Sequence, residues 1–501
     1  MRIGEKLISN TVYLFLDWFV LSFFSFIFWM ILGKGLRDPS QVGMIATSIN
    51  FIIFISTFST LGIIQALNKL IPELKEKKRL KGVYSLIKLS FKPLLVSLLI
   101  TSIVLLFFSS QFSSFLKIPY YAFLICIISI LVVSICDVLG STLFGLQNMR
   151  KLFLTDFIQI LIKILFTGFL IFLGFSIFGP LIAFFLGYLF VVFFRFNPNY
   201  FTNGKSLSYR KLFFYALPAL ISTISSDLIM RGQYIILTIL QNTEITGIFA
   251  IAFTISSVIG ALSHAPKLGL FPIISTLSID KKTKRKQGYL IGLVLRYSLF
   301  LIIPPSLVLI IFSRYAVLLF STPDFLPSTQ YFFILIPGAI LYGIGTIFSS
   351  NLYAIGKPKI RMNIWILSSI LFLILSLILT SYFSTLGLSF SYLISMLFHF
   401  LLSYIYIKKF VKINIFIGDL LKILLSSLTI LLILFIIKPF IHDIFILTLT
   451  LFPISLFYLG ILLFTNFYRA EDVRILRFFG EKIPIVGKYI LNIANYVESR
   501  L

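Results

Sequence analysis

Asp227 and Arg231 stand four residues apart inside an apolar run, a spacing that puts a carboxylate and a guanidinium on one face of a helix. Asp156, Gln159 and Lys163 form a second polar stripe at i, i+3 and i+7. Asp17 and Asp137 complete the acidic residues set in apolar stretches. An ionised side chain at mid-bilayer costs about 3 kcal/mol on insertion scales, so groups of this kind face a bundle interior or a wet cavity. Lys163 and Arg231 have the chemistry to hold an anion, with Asp227 governing the availability of Arg231. Asp17, Asp137 and Asp156 have the chemistry to take up a proton or a sodium ion. Each has a structural alternative: Asp227–Arg231 as a static ion pair that eases insertion, Asp156 as a partner of Arg150 or Lys151, and Asp17 or Asp137 as partners of basic residues on neighbouring helices. No catalytic set accompanies them. There is no Walker loop and no Cys/His metal spacing, and three histidines, His264, His399 and His442, are a poor basis for a metal centre. Cys126 and Cys136, ten residues apart in one apolar run, are about 15 Å apart on a helix and cannot pair with each other.

The elements that position these residues follow from composition. Of 501 residues 59% are hydrophobic and 12% charged, with mean hydropathy +1.05, which no soluble core can hide. Lipid offers no partner to a bare peptide group, so each spanning stretch of about twenty residues must be helical. Cutting at the polar breaks gives about fourteen spans, near 11–32, 43–67, 89–109, 119–143, 152–174, 176–194, 212–240, 244–268, 288–313, 328–355, 362–383, 385–407, 417–438 and 444–467. The first span follows MRIGEK too late, and is too long, for a cleaved signal sequence, and is expected to be retained. With both termini on the cytoplasmic side, 33 of the 43 Lys and Arg residues fall in inner segments and five, Lys34, Arg37, Lys117, Arg314 and Lys438, in outer loops. Topology and anionic headgroups thus account for the net charge of +26 without nucleic acid.

The chain also repeats itself. GMIATSINFIIFISTFSTLG from Gly43 aligns with GIFAIAFTISSVIGALSHAP from Gly247 at an offset of 204, STLFGL from Ser141 with SNLYAI from Ser350 at 209, and FSIFG from Phe175 with FSTLG from Phe383 at 208. Three matches in one order define two six-helix halves. Each half has an even number of spans, so the repeat is parallel, about an axis along the membrane normal. The expected fold is an all-α integral membrane protein of two parallel-related six-helix bundles, 1–200 and 201–412, with two further helices in 413–467 and a cytoplasmic amphipathic tail, 468–501.

Six plus six plus two helices, LGKGLRDPSQVGMIATSI opening span two, ILQNTEITGIFAIAFTIS opening span eight, and SSNLYAIGKPK before span eleven resemble the polysaccharide flippases of the MOP exporter superfamily, which include O-antigen and lipid II flippases. The resemblance implies a non-enzymatic, alternating-access protein that moves a polyprenyl-phosphate- or diphosphate-linked oligosaccharide from the cytoplasmic to the outer leaflet. Such a cargo needs cations in a wet cavity. Lys163 and Arg231 with Asp227 then become phosphate or sugar contacts. Lys69 ending span two and His264 with Lys267 ending span eight become a basic ring at the inner mouth, against the alternative of snorkelling lysines. Asp17, Asp137 and Asp156 become candidates for coupling to Na+, H+ or the membrane potential, with no cofactor and no metal. Expected partners are the lipid-linked glycan, membrane lipids, and glycosyltransferases or a polymerase of the pathway, around a functional monomer in the cell membrane. A multidrug antiporter of the same superfamily implies twelve helices and an acid-dominated site, so spans thirteen and fourteen with Lys163 and Arg231 favour the flippase. A non-transporting assembly partner is the other alternative.

Overall fold

In the computed structural model, residues 3–76, 80–201, 208–263, 266, 284–469, 472–473, 477 and 487–498 are described. The helices are α1 (Ile3–Leu36), α2 (Pro39–Ser59), α3 (Ile63–Glu76), α4 (Leu80–Phe107), α5 (Ser109–Phe115), α6 (Tyr120–Gly145), α7 (Met149–Phe172), α8 (Phe178–Arg195), α9 (Tyr209–Met230), α10 (Gly232–Leu240), α11 (Thr243–Leu262), α12 (Lys284–Ile311), α13 (Ser313–Phe320), α14 (Phe332–Ala354), α15 (Pro358–Lys408), α16 (Ile417–Ile437), α17 (Ile444–Phe464) and α18 (Gly487–Glu498). Among the described residues thirteen helical segments are long and apolar enough to cross a membrane. One of them, α15, has 51 residues and at 1.5 Å per residue would overreach a bilayer more than twofold. It folds back at Ser384, whose φ of 51° and ψ of −132° leave the helix, and a Cβ on Gly387 would fall on the Leu379 carbonyl, eight residues earlier. Its two arms correspond to spans eleven and twelve. Phe107, Phe172 and Phe464 are among the many large apolar side chains exposed on the outer surface, the surface lipid covers.

Correspondences at the repeat offsets run through the backbone. Ser176 and Ser384 both have positive φ, 46° and 51°, 208 residues apart, as do Gln147 and Gly356, 58° and 80°, 209 apart. Asp38 and Asn242, 204 apart, cap α2 and α11, their side chains accepting from Ser40 N at 2.8 Å and Ile245 N at 2.8 Å; a carboxylate or amide there satisfies amides that the first turn leaves free. These two capped helices are among the most enclosed of the bundle. They cross at Gly43 and Gly247. A Cβ on Gly43 would fall on the Thr243 carbonyl and one on Gly247 on the Pro39 carbonyl, so only glycine allows this approach. Beside the crossing, the hydroxyls of Ser40 and Thr243 bond at 2.7 Å, and Thr47, Thr238 and Thr246 chain at 2.6 and 2.9 Å.

The end of the bundle that holds this crossing is here called the far end. The opposite, basic end carries Lys69, Lys75, Lys211, Lys357, Lys359 and Arg361, joined there by Lys211–Glu73 (3.5 Å) and by Lys75 donating to the Leu146 carbonyl (2.6 Å). The additional helices α16 and α17 are fastened to α12 by Arg296, whose side chain is fully buried. It pairs with Asp419 of α16 (2.8 Å) and with Asp472 (2.8 Å), and donates to the Phe467 carbonyl (2.6 Å). Arg469 adds a second bond to Asp419 at 2.9 Å, and Tyr297 donates to Asp472 at 2.5 Å. In α18, Ala494 and Val497 bury against Val473, giving that helix of the tail an apolar side.

Candidate functional site

Besides the α2–α11 crossing, an antiparallel polar seam joins the two halves along the depth of the bundle. From far end to basic end α2–α3 meets α9–α10 at Thr47–Thr238 (2.6 Å), Thr57–Asp227 (2.8 Å), Gln65–Thr223 (3.1 Å) and Glu73–Lys211 (3.5 Å). Asp227 therefore sits midway, accepting from the Thr57 hydroxyl while facing Arg231 of its own stretch at 3.5 Å. Arg231 is where span seven breaks: α9 ends at Met230 and α10 begins at Gly232, with Arg231 at φ −114°. The pair is loose, since the Arg231 side chain keeps 32% exposure and its Nε makes no well-directed hydrogen bond. Pairing thus coexists with an available guanidinium.

The first half holds an acidic cluster around a cation that hydropathy had assigned to a loop. Arg195, in the last turn of α8, is 3% exposed and bonds Asp156 at 2.5 Å, Thr155 Oγ1 at 3.0 Å and the Cys136 carbonyl at 3.1 Å. Gly140 makes room for it, because a Cβ there would stand 2.6 Å from the guanidinium. Asp156 is thus the partner of Arg195, not of Arg150 or Lys151. Asp137 lies within the field of Arg195 and Asp156 and also of Arg231 and Asp227, between the two ion pairs. Asp17 lies within the field of Asp156 and Arg195, and its Oδ1 is enclosed with no hydrogen-bond partner. Asp17 and Asp137 thus share the field of the Arg195–Asp156 pair, although among the described residues no group of three or more His, Cys, Asp or Glu side chains is arranged to hold a metal ion.

Lys163 stands apart from the seam. It is buried with its ammonium 4.2 Å from the Phe28 ring centroid, a cation–π contact that replaces some of the solvation it has lost. No carboxylate pairs with it among the described residues.

A cavity of about 740 Å³ opens at the basic end between the halves. Gln65 and Lys69 of α3 line one side, and Thr223 of α9, Tyr353 of α14, and Lys359 and Arg361 of α15 the other. Among the described residues that line it there is no Asp or Glu. Arg361 lies against Tyr353, 5.7 Å from the ring centroid, and its Nε has no hydrogen-bond partner. Of the residues of the expected basic ring, Lys69 lines this cavity, while His264 and Lys267 lie outside the described residues. Lys359 and Arg361 line it as well. The sequence signal for them was the KPKIR stretch after the Gly356 turn, which reads as ordinary loop charge until the first arm of α15 is seen to begin inside the cavity wall.

Two bundles meeting at a glycine crossing, with a polar seam and a cavity between them, make a multi-pass membrane fold similar to that of solved transporters of the MOP superfamily. The lipid II flippase MurJ in its inward closed conformation superposes with TM-score 0.71 at 18% identity, covering 91% of this chain and 98% of that one. An inward-facing multidrug resistance MATE transporter of the superfamily gives 0.62 at 14%, covering 80% and 95%. A MOP superfamily transporter from Pyrococcus furiosus gives 0.57 at 15%, covering 81% and 96%. No curated protein sequence matches significantly. The family profile described as polysaccharide biosynthesis protein matches residues 7–278, more than half of the chain, and the chain belongs to that family.

Proposed function

We propose that this protein is an alternating-access flippase that turns a polyprenyl-phosphate- or diphosphate-linked oligosaccharide from the cytoplasmic leaflet, at its basic end, to the opposite leaflet. The observation that carries the reading is the cavity lining: Lys69, Lys359 and Arg361 with hydroxyls and aromatic rings and, among the described lining residues, no carboxylate. That composition suits a phosphate joined to sugars and repels a cationic drug. Family membership supports a role in polysaccharide biosynthesis. The flippase match exceeds the MATE match by eleven per cent of 501 residues, about the length of 413–467 where the two additional helices lie. In this reading the far-end crossing is the outer gate in its closed position, and both termini are cytoplasmic. The Asp17, Asp137 and Asp156 group supplies the site for a driving proton or sodium ion, and glycosyltransferases or a polymerase of the pathway are the partners.

The test is glycan export in cells whose only copy carries Lys69→Ala with Arg361→Ala. Export should fall at least tenfold at unchanged membrane abundance, with lipid-linked glycan accumulating inside, as expected when two charge-assisted contacts of about 1.5–3 kcal/mol each are removed. Undiminished surface glycan in this variant removes the proposed cargo site.

A further inference from the structure

The cavity at the basic end has parts of different chemistry, and they lie in an order. Seam contacts fix the depth of each part: Glu73 pairs with Lys211 at the basic end, and Gln65 donates to Thr223 two turns further in. Lys69 stands between those levels on α3, and Lys359 and Arg361 are in the first turn of α15, which starts at the same end. The cations are therefore at the mouth. On α9 the lining continues from Phe213 to Ser226, about 20 Å of helix.

The inner part is neutral. Gln65, Ser222, Thr223 and Ser226 line it with an amide and three hydroxyls, groups that both donate and accept. Gln65 Oε1 is enclosed and has no hydrogen-bond partner, so an acceptor is left over at this level. A sugar, whose hydroxyls also donate and accept, matches such a set. A phosphate only accepts, and matches the cations at the mouth.

A third part faces outward. Phe214 and Leu217 line the cavity and yet are 72% and 56% exposed, and Tyr353 of α14, also in the lining, is exposed as well. Residues that both line a cavity and face the surroundings mark its opening. Tyr215, Ser222 and Ser226, at i, i+7 and i+11, make one stripe of α9, and Phe214 with Leu217 makes the stripe beside it. The cavity thus bends around α9, from a polar inner stripe to an apolar outer one.

Size assigns the parts to pieces of one ligand. A volume of about 740 Å³ is that of a pocket for a drug-sized molecule. It can take the polar head of a lipid-linked glycan, and a polyprenyl chain must stay outside.

We propose that the cargo enters glycan first, with its sugars against Gln65, Ser222 and Ser226, its phosphate held at the mouth by Lys69, Lys359 and Arg361, and its prenyl chain leaving sideways over Phe214 and Leu217 into the lipid. The chain keeps to the lipid because every apolar carbon drawn into a wet cavity would be exposed to water. This order of pieces rests on the flippase reading of the cavity and adds to it a direction. Arg231, five residues beyond Ser226 on the broken span, becomes a neighbour of the glycan and not of the phosphate.

The test uses the full chain with Cys126→Ala and Cys136→Ala in phosphatidylcholine nanodiscs, carrying Ser226→Cys as a reporter of the inner part. Its probes are inorganic pyrophosphate, a polyprenyl diphosphate without sugar, and the same lipid bearing a trisaccharide, both lipids with a diazirine in the isoprene next to the phosphate. At saturation the trisaccharide lipid should slow maleimide labelling of Ser226→Cys about tenfold, while the sugar-free probes change it less than about twofold. On illumination both lipids should cross-link to the α9 peptide that holds Phe214 and Leu217, and should do so no longer when Lys69→Ala and Arg361→Ala are present. Should Ser226→Cys fail to fold, Ser222→Cys reports on the same part of the cavity. Protection by pyrophosphate or by the sugar-free lipid as strong as that by the trisaccharide lipid puts the phosphate inside and overturns the order. Cross-links that fall on α16 and α17 overturn the path of the chain. In either case a lipid diphosphate still binds, so the flippase reading survives the loss of this proposal. Protection and cross-linking that phosphatidylglycerol in the nanodisc abolishes mark a seat for ordinary anionic lipid and overturn the proposal too, and no response to any probe removes the proposal and the flippase reading together.

Discussion

Gly43→Ala is the sharpest perturbation of the far-end crossing. The added Cβ would lie 2.8 Å from Gly247 N and closer still to the Thr243 carbonyl. Both are main-chain atoms of α11, so no rotamer change relieves the overlap and the helices must part by about 1 Å. Overpacking of this kind costs about 1–3 kcal/mol. Parting the helices also stretches the Ser40–Thr243 and Thr47–Thr238 hydroxyl bonds, together worth about 1–2 kcal/mol net. The penalty falls only on conformers in which this end is shut. At about 3 kcal/mol it moves the balance between shut and open by roughly two orders of magnitude. The assay uses Thr47→Cys, a position with no solvent exposure beside the seal, and a membrane-impermeant maleimide added to intact cells. Labelling should rise about 10- to 100-fold when Gly43→Ala is added, and Gly247→Ala should act alike, because its Cβ would meet Gly43 N at 2.9 Å and the Pro39 carbonyl more closely. Unchanged labelling together with normal export would show that the crossing is a fixed joint and not a gate. Labelling that rises only when the reagent is offered from the cytoplasmic side would invert the proposed orientation.

Two further outcomes follow from the buried charges. Arg231→Ala and Lys163→Ala should each block glycan export at normal membrane abundance, measured by surface-glycan staining; normal export in both removes them from the cargo path. Arg296→Ala leaves Asp419 and Asp472 without the buried guanidinium between them; breaking such a network costs about 3–5 kcal/mol, read as a marked fall in melting temperature of the purified protein, and a loss below about 1 kcal/mol would mean that water already solvates the site.

The spans and their repeat were legible because both depend on local pattern. Hydropathy finds apolar stretches one at a time, and the FSIFG and FSTLG matches coincide with turns at Ser176 and Ser384 that share a left-handed backbone. The glycines at 43 and 247 were visible as the first residues of the longest match, and the structure adds that they touch each other's helices. What sequence could not supply was partnership across distance. Arg195 looks like a positive-inside residue at the end of a span, and only tertiary packing turns its side chain inward to Asp156, 39 residues away. Arg296 finds Asp472, 176 residues away, by the same means. The break at Arg231 was also hidden, since the apolar run continues on both sides of it and a lone glycine, Gly232, marks it without a proline.

The repeat makes the difference between the halves informative. A duplicated six-helix unit begins with the same polar opportunities twice, at the junction of α6, α7 and α8 and at that of α14 with the two arms of α15. In the first half that junction carries Asp137, Asp156 and Arg195 with Asp17 alongside, an excess of negative charge around one cation. In the second it carries His399, Trp365 and Ser403, with Arg361 nearby on the first arm of α15 and, among the described residues, no carboxylate beside them. The seam from Thr47 to Lys211 runs between the two sites, with Asp227 and Arg231 at its midpoint within the field of Asp137. That is where a change of charge in one half would first be felt by the other.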